Sequence, residues 1–401
     1  MGGIRLARRL AAVKPSPTFA AEQKARALRA QGVDVVSLTV GEPDFDTPRA
    51  IKQAAVRAIE EGFTKYTPTA GTPELREAIC AKLARDNGLA YRPEQVIASA
   101  GAKQAIYNLL MVLLDPDDEV LIPAPYWVSY PDMVELAGGR PVIVETSEAE
   151  GFKLTPARLA RAITPRSRLL ILNTPCNPTG AAYTREELAA LARVCVEHDL
   201  LVCSDEIYEK LVYDGFVHTS FAALGPEVYA RTITVNGLSK AFAMTGWRLG
   251  YAAGPVELVQ AMEAVQSQST SNPCSITLKA ATYALTGPAD ELPAMVAEFD
   301  RRRRFLVDAL GSLPGVSCAT PTGAFYAWPN VSRLLGRRTP EGRRLATSYD
   351  LVDYLLEAAR VATVAGAAFG VEGYLRLSYA TALPRLEEAI ARMRGALARL
   401  A

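Results

Sequence analysis

Between Val96 and Tyr251 the chain repeats one unit, a short continuous apolar run followed by a stretch with helical periodicity. The runs at 96–99, 119–122, 141–145, 168–172, 200–203, 232–236 and 249–252 read as strands. Helices fall near 102–114, 126–137, 156–162, 184–198 and 255–269. A strand wet on one face alternates apolar and polar residues, whereas most of these runs are largely continuous in apolar residues. Strand–helix alternation with such runs predicts an α/β class, a mostly parallel central sheet covered by helices on both faces. In sheets of that kind ligands lie outside the carboxyl ends of the strands, so the residues just after each run carry most of the functional information.

The flanks are organised differently. Residues 1–32 read as an arm with a helix at 20–30, and Val33–Val40 as a short strand. Helices at 48–61 and 73–86 follow, with Tyr66 in the loop between them. Beyond Asn272-Pro273 come helices at 275–286, 289–310, 349–359 and 384–400 and strands at 361–364 and 374–379, a smaller α+β domain. The expected division is residues 1–47 as arm and part of the small domain, 48–290 as the large domain, and 291–401 as the small domain.

Charge excludes several classes of partner. Lys plus Arg number 44 and Asp plus Glu 43, so no net field draws nucleic acid or an anionic membrane. The Arg301–Arg304 run reads as a solvated helix face. No apolar stretch reaches the ~18 residues of a membrane span, and the N-terminus has no signal-peptide pattern. Six cysteines without CxxC spacing suggest reduced thiols, mostly core filler, and a cytoplasmic protein. His198 and His218 are the only histidines and are not spaced as ligands, so neither a histidine triad nor a typical zinc site is expected. Acid–base chemistry must come from Lys, Tyr, Asp or Glu, with no metal.

Four strand ends carry suitable groups. Lys240 follows the 232–236 run among small and aromatic residues. Desolvation lowers a lysine's pKa and makes its amine a nucleophile, although a lone lysine there is ordinarily a surface residue. Gly101-Ala102-Lys103 opens a helix after the first run, where free N–H groups attract anions. Asp205 stands at the end of another run, as an acid or as a helix cap, with Tyr208 three residues on. Asn177 lies in a Pro/Gly-rich string after a fourth. Separately, Arg376 sits inside an apolar strand, and a buried arginine needs an anionic partner.

Taken together these segments resemble a known family. Ser239-Lys240, a small-residue turn and Gly246-Trp247-Arg248-Leu249-Gly250-Tyr251 resemble the pyridoxal-phosphate lysine segment of the class I aminotransferases. The string from Asn173 to Gly180 is similar to that family's Asn-x-Pro-x-Asn-Pro-Thr-Gly, and matches run in order from Lys14-Pro15-Ser16 to Arg376. The resemblance implies a fold type I pyridoxal-phosphate transferase acting as a homodimer with shared active sites on amino acids and 2-oxo acids. By resemblance Lys240 carries the cofactor covalently and moves the proton, and Asp205 partners the pyridine nitrogen. Asn177 and Tyr208 meet the ring oxygen. Ser239, Arg248 and the Gly101–Lys103 turn hold the phosphate, with Tyr66 reaching it from the neighbouring subunit. Trp127 stacks on the ring, though it reads equally as a core aromatic, and Tyr66 equally as a loop anchor. Gly41, Trp127, Asn177 and Arg376 meet the substrate, Arg376 through its α-carboxylate.

Specificity turns on one departure. The best-known aspartate aminotransferases hold the distal carboxylate with an arginine a fixed distance before an Asn-Pro pair, and here Ser267 stands there. A bacterial subgroup with Pro-Tyr-Trp-Val-Ser-Tyr-Pro, as at 125–131 here, also lacks it. That subgroup uses a lysine at the Lys103 position, helped by hydroxyls such as Ser16 or Thr18. The implied reaction is transfer from L-aspartate to 2-oxoglutarate. The alternatives are prephenate, aromatic or other neutral substrates, or a non-catalytic regulator on the same fold.

Overall fold

The computed structural model describes residues 4–11, 13, 17–288 and 290–401. In chain order the strands are β1 (Val36–Ser37), β2 (Val96–Ser99), β3 (Glu119–Ala124), β4 (Arg140–Glu145), β5 (Ser167–Asn173), β6 (Leu201–Asp205), β7 (Thr232–Gly237), β8 (Gly250–Ala253), β9 (Tyr326–Ala327), β10 (Val361–Ala362), β11 (Val364–Ala365) and β12 (Leu375–Ser378). The seven expected apolar runs form one sheet in the order β2-β8-β7-β6-β5-β3-β4. Only β8 runs against its neighbours β2 and β7, and every other pairing is parallel.

Both faces of the sheet's interior strands are dry, whereas edge strand β4 is partly exposed. Alternate side chains of one strand enter opposite cores, as the pleat requires. Val120, Ile122, Leu169, Ile171 and Cys203 pack with Ile106 and Leu109 of helix Ala102–Leu113 and with Val259 and Met262 of helix Val256–Ser267. Leu121, Leu170, Leu172 and Val202 face Leu188, Leu191 and Cys195 of helix Arg185–Glu197. Covering on both sides is why the central strands β3, β5 and β6 are mostly apolar on both faces.

β2 and β7 both oppose β8, so they run the same way. The carboxyl ends of β2, β3, β5, β6 and β7, at Ser99, Ala124, Asn173, Asp205 and Gly237, therefore share one edge. Against that edge sits a second body built from β11-β12-β9, the β1–β10 pair and helices Glu291–Gly311, Ser348–Tyr354 and Leu383–Leu397, which enclose their own core. No described helix is long and apolar enough to cross a membrane.

Three expectations are corrected. The 33–40 segment pairs as a strand only at Val36–Ser37; beyond it Leu38 donates to Ala362 O but accepts from Ser378 N, and the Thr39 carbonyl accepts from Arg376. The helix expected from residue 126 starts at Ser129, so Tyr126 and Trp127 form a turn at the sheet edge. The Arg301–Arg304 run is not a solvated face, since Arg302 and Arg303 are buried. Arg303 reaches Asp300, Asp214 and the Pro321 carbonyl, while Arg302 pairs with Asp44 at 2.7 Å and Glu298 at 2.8 Å. Cysteine was read correctly in part. All six thiols are free, with Cys176, Cys195 and Cys203 buried and Cys274 exposed.

Candidate active site

A cavity of about 240 Å³ opens where the common strand edge meets the smaller body. Eleven expected residues line it, namely Gly41, Ala102, Lys103, Trp127, Asn177, Asp205, Tyr208, Ser239, Lys240, Arg248 and Arg376. Thr18 lines it too, from the first turn of helix Pro17–Ala30. Ser16 lies outside the described residues. Ser267 is exposed and bonds back to the Ala264 carbonyl of its own helix.

Lys240 leaves β7 in a tight turn, with Phe242 N donating to Leu238 O and Met244 N to Ser239 O. Its Nζ donates to the Gly41 carbonyl at 2.6 Å. Burial pulls the ammonium down to about 8, against the opposing attraction of Glu42. This is the desolvated amine that the apolar sequence context called for.

Asp205 ends β6 and is 5% exposed. Burial pushes its carboxyl up to about 6, while hydrogen bonds from Tyr130 and the Ile207 N–H hold it back. The Tyr130 hydroxyl donates to Oδ2 at 2.6 Å. Asn173 fastens the neighbouring turn by donating from Nδ2 to the Asp205 carbonyl at 2.9 Å and accepting from Asn177 N at 2.8 Å.

Arg376, on β12, is 2% exposed. Nη1 donates to Asn177 Oδ1 at 3.1 Å and Nη2 to the Thr39 carbonyl, while buried Nε has no partner. The guanidinium lies 4.7 Å from the Tyr326 ring centre and 5.0 Å from that of Phe369. No carboxylate among the described residues pairs with it. A cation buried this deeply, with one donor left over, has the chemistry to receive an anion.

Gly101 stands just outside the cavity with φ +90°, and a Cβ there would collide with the Arg248 guanidinium. Glycine therefore lets the arginine lie across the start of helix Ala102–Leu113, whose first N–H groups have no partner within the helix. Lys103, on that first turn, sits 4.7 Å over the Trp127 ring and has no ion pair among the described residues. Its ammonium is lowered by burial and then by Arg248. Tyr66 does not line the cavity either, and is 93% exposed.

Sequence reasoning missed several contributors. Tyr130 is one helical turn beyond Trp127, a spacing that could have flagged it. Tyr326, Asn173 and Phe19 also line the cavity. His218 was read as isolated, yet the fold brings it within 4.8 Å of Glu206 and Glu209. Glu206 is already saturated by Ser204, Ser220 and the Phe221 N–H, and Glu209 by Lys82 and Asn87.

Comparison with known proteins gives the following. Residues 33–393 match the family described as aminotransferase class I and II. An aspartate/prephenate aminotransferase of Cereibacter sphaeroides is 54% identical over 96% of each chain. The crystal structure of an aspartate aminotransferase from Rhizobium meliloti is 46% identical and covers 100% of both chains with a TM-score of 0.97. The aspartate aminotransferase of Thermus thermophilus solved with maleate is 48% identical with a TM-score of 0.91, covering 99% of this chain and 100% of that one.

Proposed function

The chain belongs to the class I and II aminotransferases, which depend on pyridoxal 5′-phosphate, and on that premise we propose that it transfers the amino group of L-aspartate to 2-oxoglutarate. The residues present fit the cofactor. An amine, a buried carboxylate and an anion cradle kept open by Gly101 surround one cavity, and Arg376 Nε is left without a partner. Ser239, Arg248 and the Gly101–Lys103 turn would hold the phosphate. Asp205 would hold the pyridine nitrogen and Trp127 would stack on the ring. Tyr208 and Asn177 would meet the ring oxygen. Asn177 turns Oδ1 to Arg376, which leaves its Nδ2 to donate.

Bound there, the cofactor supplies an aldehyde carbon that takes up the amino group and a pyridine ring that draws electrons from the substrate Cα. The chain's own groups do the rest. A lysine at about 8 keeps an appreciable neutral fraction near neutral pH, and the neutral amine of Lys240 can attack a carbonyl and later carry the Cα proton. Arg376, with Nε free and Nη1 and Nη2 braced, grips the α-carboxylate and orients Cα. Tyr66 has no role in its own cavity, which agrees with a homodimer in which it serves the partner's phosphate. An active monomer in sedimentation at assay concentration would contradict that assembly.

The observation that carries aspartate is Lys103, a second cation in the same cavity with no acid of its own. A dicarboxylate needs two cations, and the Thermus relative was solved with one, maleate. An ammonium is less directional than a guanidinium, so a broader preference follows. Prephenate, a 2-oxo acid, as a second amino-group acceptor is favoured by the 54% identical relative, an aspartate/prephenate aminotransferase. The test is Lys103→Ala assayed with aspartate and with phenylalanine. Losing a partly desolvated charge pair costs on the order of 2 kcal/mol, or roughly thirtyfold in kcat/KM for aspartate. Phenylalanine, which presents no distal anion, should change far less. Equal losses for both donors would mean that Lys103 supports the phosphate turn instead, and no loss would remove the basis for aspartate.

A further inference from the structure

Tyr208 and Tyr326 are both buried in the cavity wall, and their hydroxyl oxygens lie 2.9 Å apart. Two elements bring them together. Tyr208 sits in the turn after β6, while Tyr326 is in β9, which pairs with the arginine-bearing β12 through Ser378↔Tyr326 and Leu377↔Ala327. The Tyr326 ring is fixed from both sides. Arg376 lies 4.7 Å from its centre, and Gly41 comes so close that a Cβ would stand 2.5 Å from its hydroxyl oxygen. Its hydroxyl has no hydrogen-bond partner other than Tyr208 among the described residues.

We propose that Tyr326 is a positioning residue that sets the direction of the Tyr208 hydrogen bond, donating to Tyr208 so that Tyr208 can donate only toward the cofactor ring oxygen. This rests on the pyridoxal-phosphate reading of the site. The argument is a count of protons. Burial pushes both phenols up, Tyr208 well above its ordinary value, so each keeps its single proton. Once Tyr208 gives its proton to an anionic ring oxygen, only its lone pairs face Tyr326, and Tyr326 must be the donor. Two O–H groups in series polarise one another, which strengthens the outer bond. The ring oxygen then carries its negative charge more easily and holds the neighbouring lysine nitrogen's proton less tightly. The charged groups facing the pair and Lys240 are Arg376, Asp205, Glu42 and Arg248, and all are left unchanged by the test below.

The readout is the pH midpoint of the visible absorbance of the cofactor-loaded protein. Strengthening one charge-assisted bond by ~10–30% is worth a few tenths of a pH unit, so Tyr326→Phe should raise the midpoint by about 0.2–0.6. Packing alone would not move it, because phenylalanine keeps the ring. Placing 3-fluorotyrosine at 326, a better donor of the same shape, should lower the midpoint. In a Tyr208→Phe background the Tyr326→Phe shift should vanish, since the relay has lost its middle member. A shift below about 0.1 unit in the parent background, or an equal shift in both backgrounds, overturns the proposal while leaving the cofactor reading intact. A parent protein with no pH-dependent visible band defeats the cofactor reading and this inference with it.

Discussion

Lys240, Asp205 and Arg376 are each buried at a cost to the protein, two through shifted pKa values and one through a donor without a partner. Lys240 shows the cost most clearly. Its ammonium is depressed to about 8 from the ~10.4 of an unfolded chain. Below pH 8 both folded and unfolded chains carry the charge, and the full desolvation cost falls on the folded one. Between about 8 and 10.4 the unfolded chain binds more protons, so stability rises with pH and the cost fades. Lys240→Met should therefore abolish transamination and yet stabilise the cofactor-free protein at pH 7 by on the order of 1–3 kcal/mol. That is a rise of a few degrees in melting temperature, and the gain should disappear above about pH 10.4. A variant melting at or below the parent at pH 7, or a gain independent of pH, would show that Lys240 is not buried as a strained charge.

At the level of elements, much was legible in the sequence. Strand 96–99 announces itself as a short apolar run, and strand 232–236 through its β-branched residues although Thr232, Thr234 and Asn236 are polar, and the structure extends the second only to Gly237. Edges were harder. Val33–Val40 is apolar enough for a strand, but only Val36 and Ser37 pair as one; Leu38 still bonds Ala362 and Ser378, and the Thr39 carbonyl accepts from Arg376. The arginine run misled because composition was weighed above period. On helix Glu291–Gly311 the buried positions are Met295, Phe299, Arg302, Arg303, Leu306 and Leu310. A 3.6-residue repeat through 295, 299, 306 and 310 puts the middle arginines on the inward stripe. They are tolerated there because Asp44, Asp214, Asp300 and Glu298 meet them. At the site, the strand-end residues were legible through their position and motif. Tyr326 was not, since its importance lies in what it touches across the fold.

Taken whole, the molecule closes its cavity with parts from the two ends of the chain. Gly41 arrives from the N-terminal side and Arg376 from β12, and both come to lie over the edge built by residues 96–253. Thr47 and Trp247 tie the first of these down, with Thr47 Oγ1 donating to Ala243 O at 2.7 Å and Trp247 Nε1 donating to Thr47 Oγ1 at 2.9 Å. Amine, carboxylate and three cations without a salt bridge among the described residues, Lys103, Arg248 and Arg376, thus share one cavity, and that grouping is the central claim. The most direct measurement is a half-reaction, in which L-aspartate alone is added to the cofactor-loaded protein with no 2-oxo acid present. The account predicts loss of the visible band and release of one oxaloacetate per active site, with recovery of the band on adding 2-oxoglutarate. A band indifferent to aspartate, or bleached without stoichiometric oxaloacetate, would contradict it.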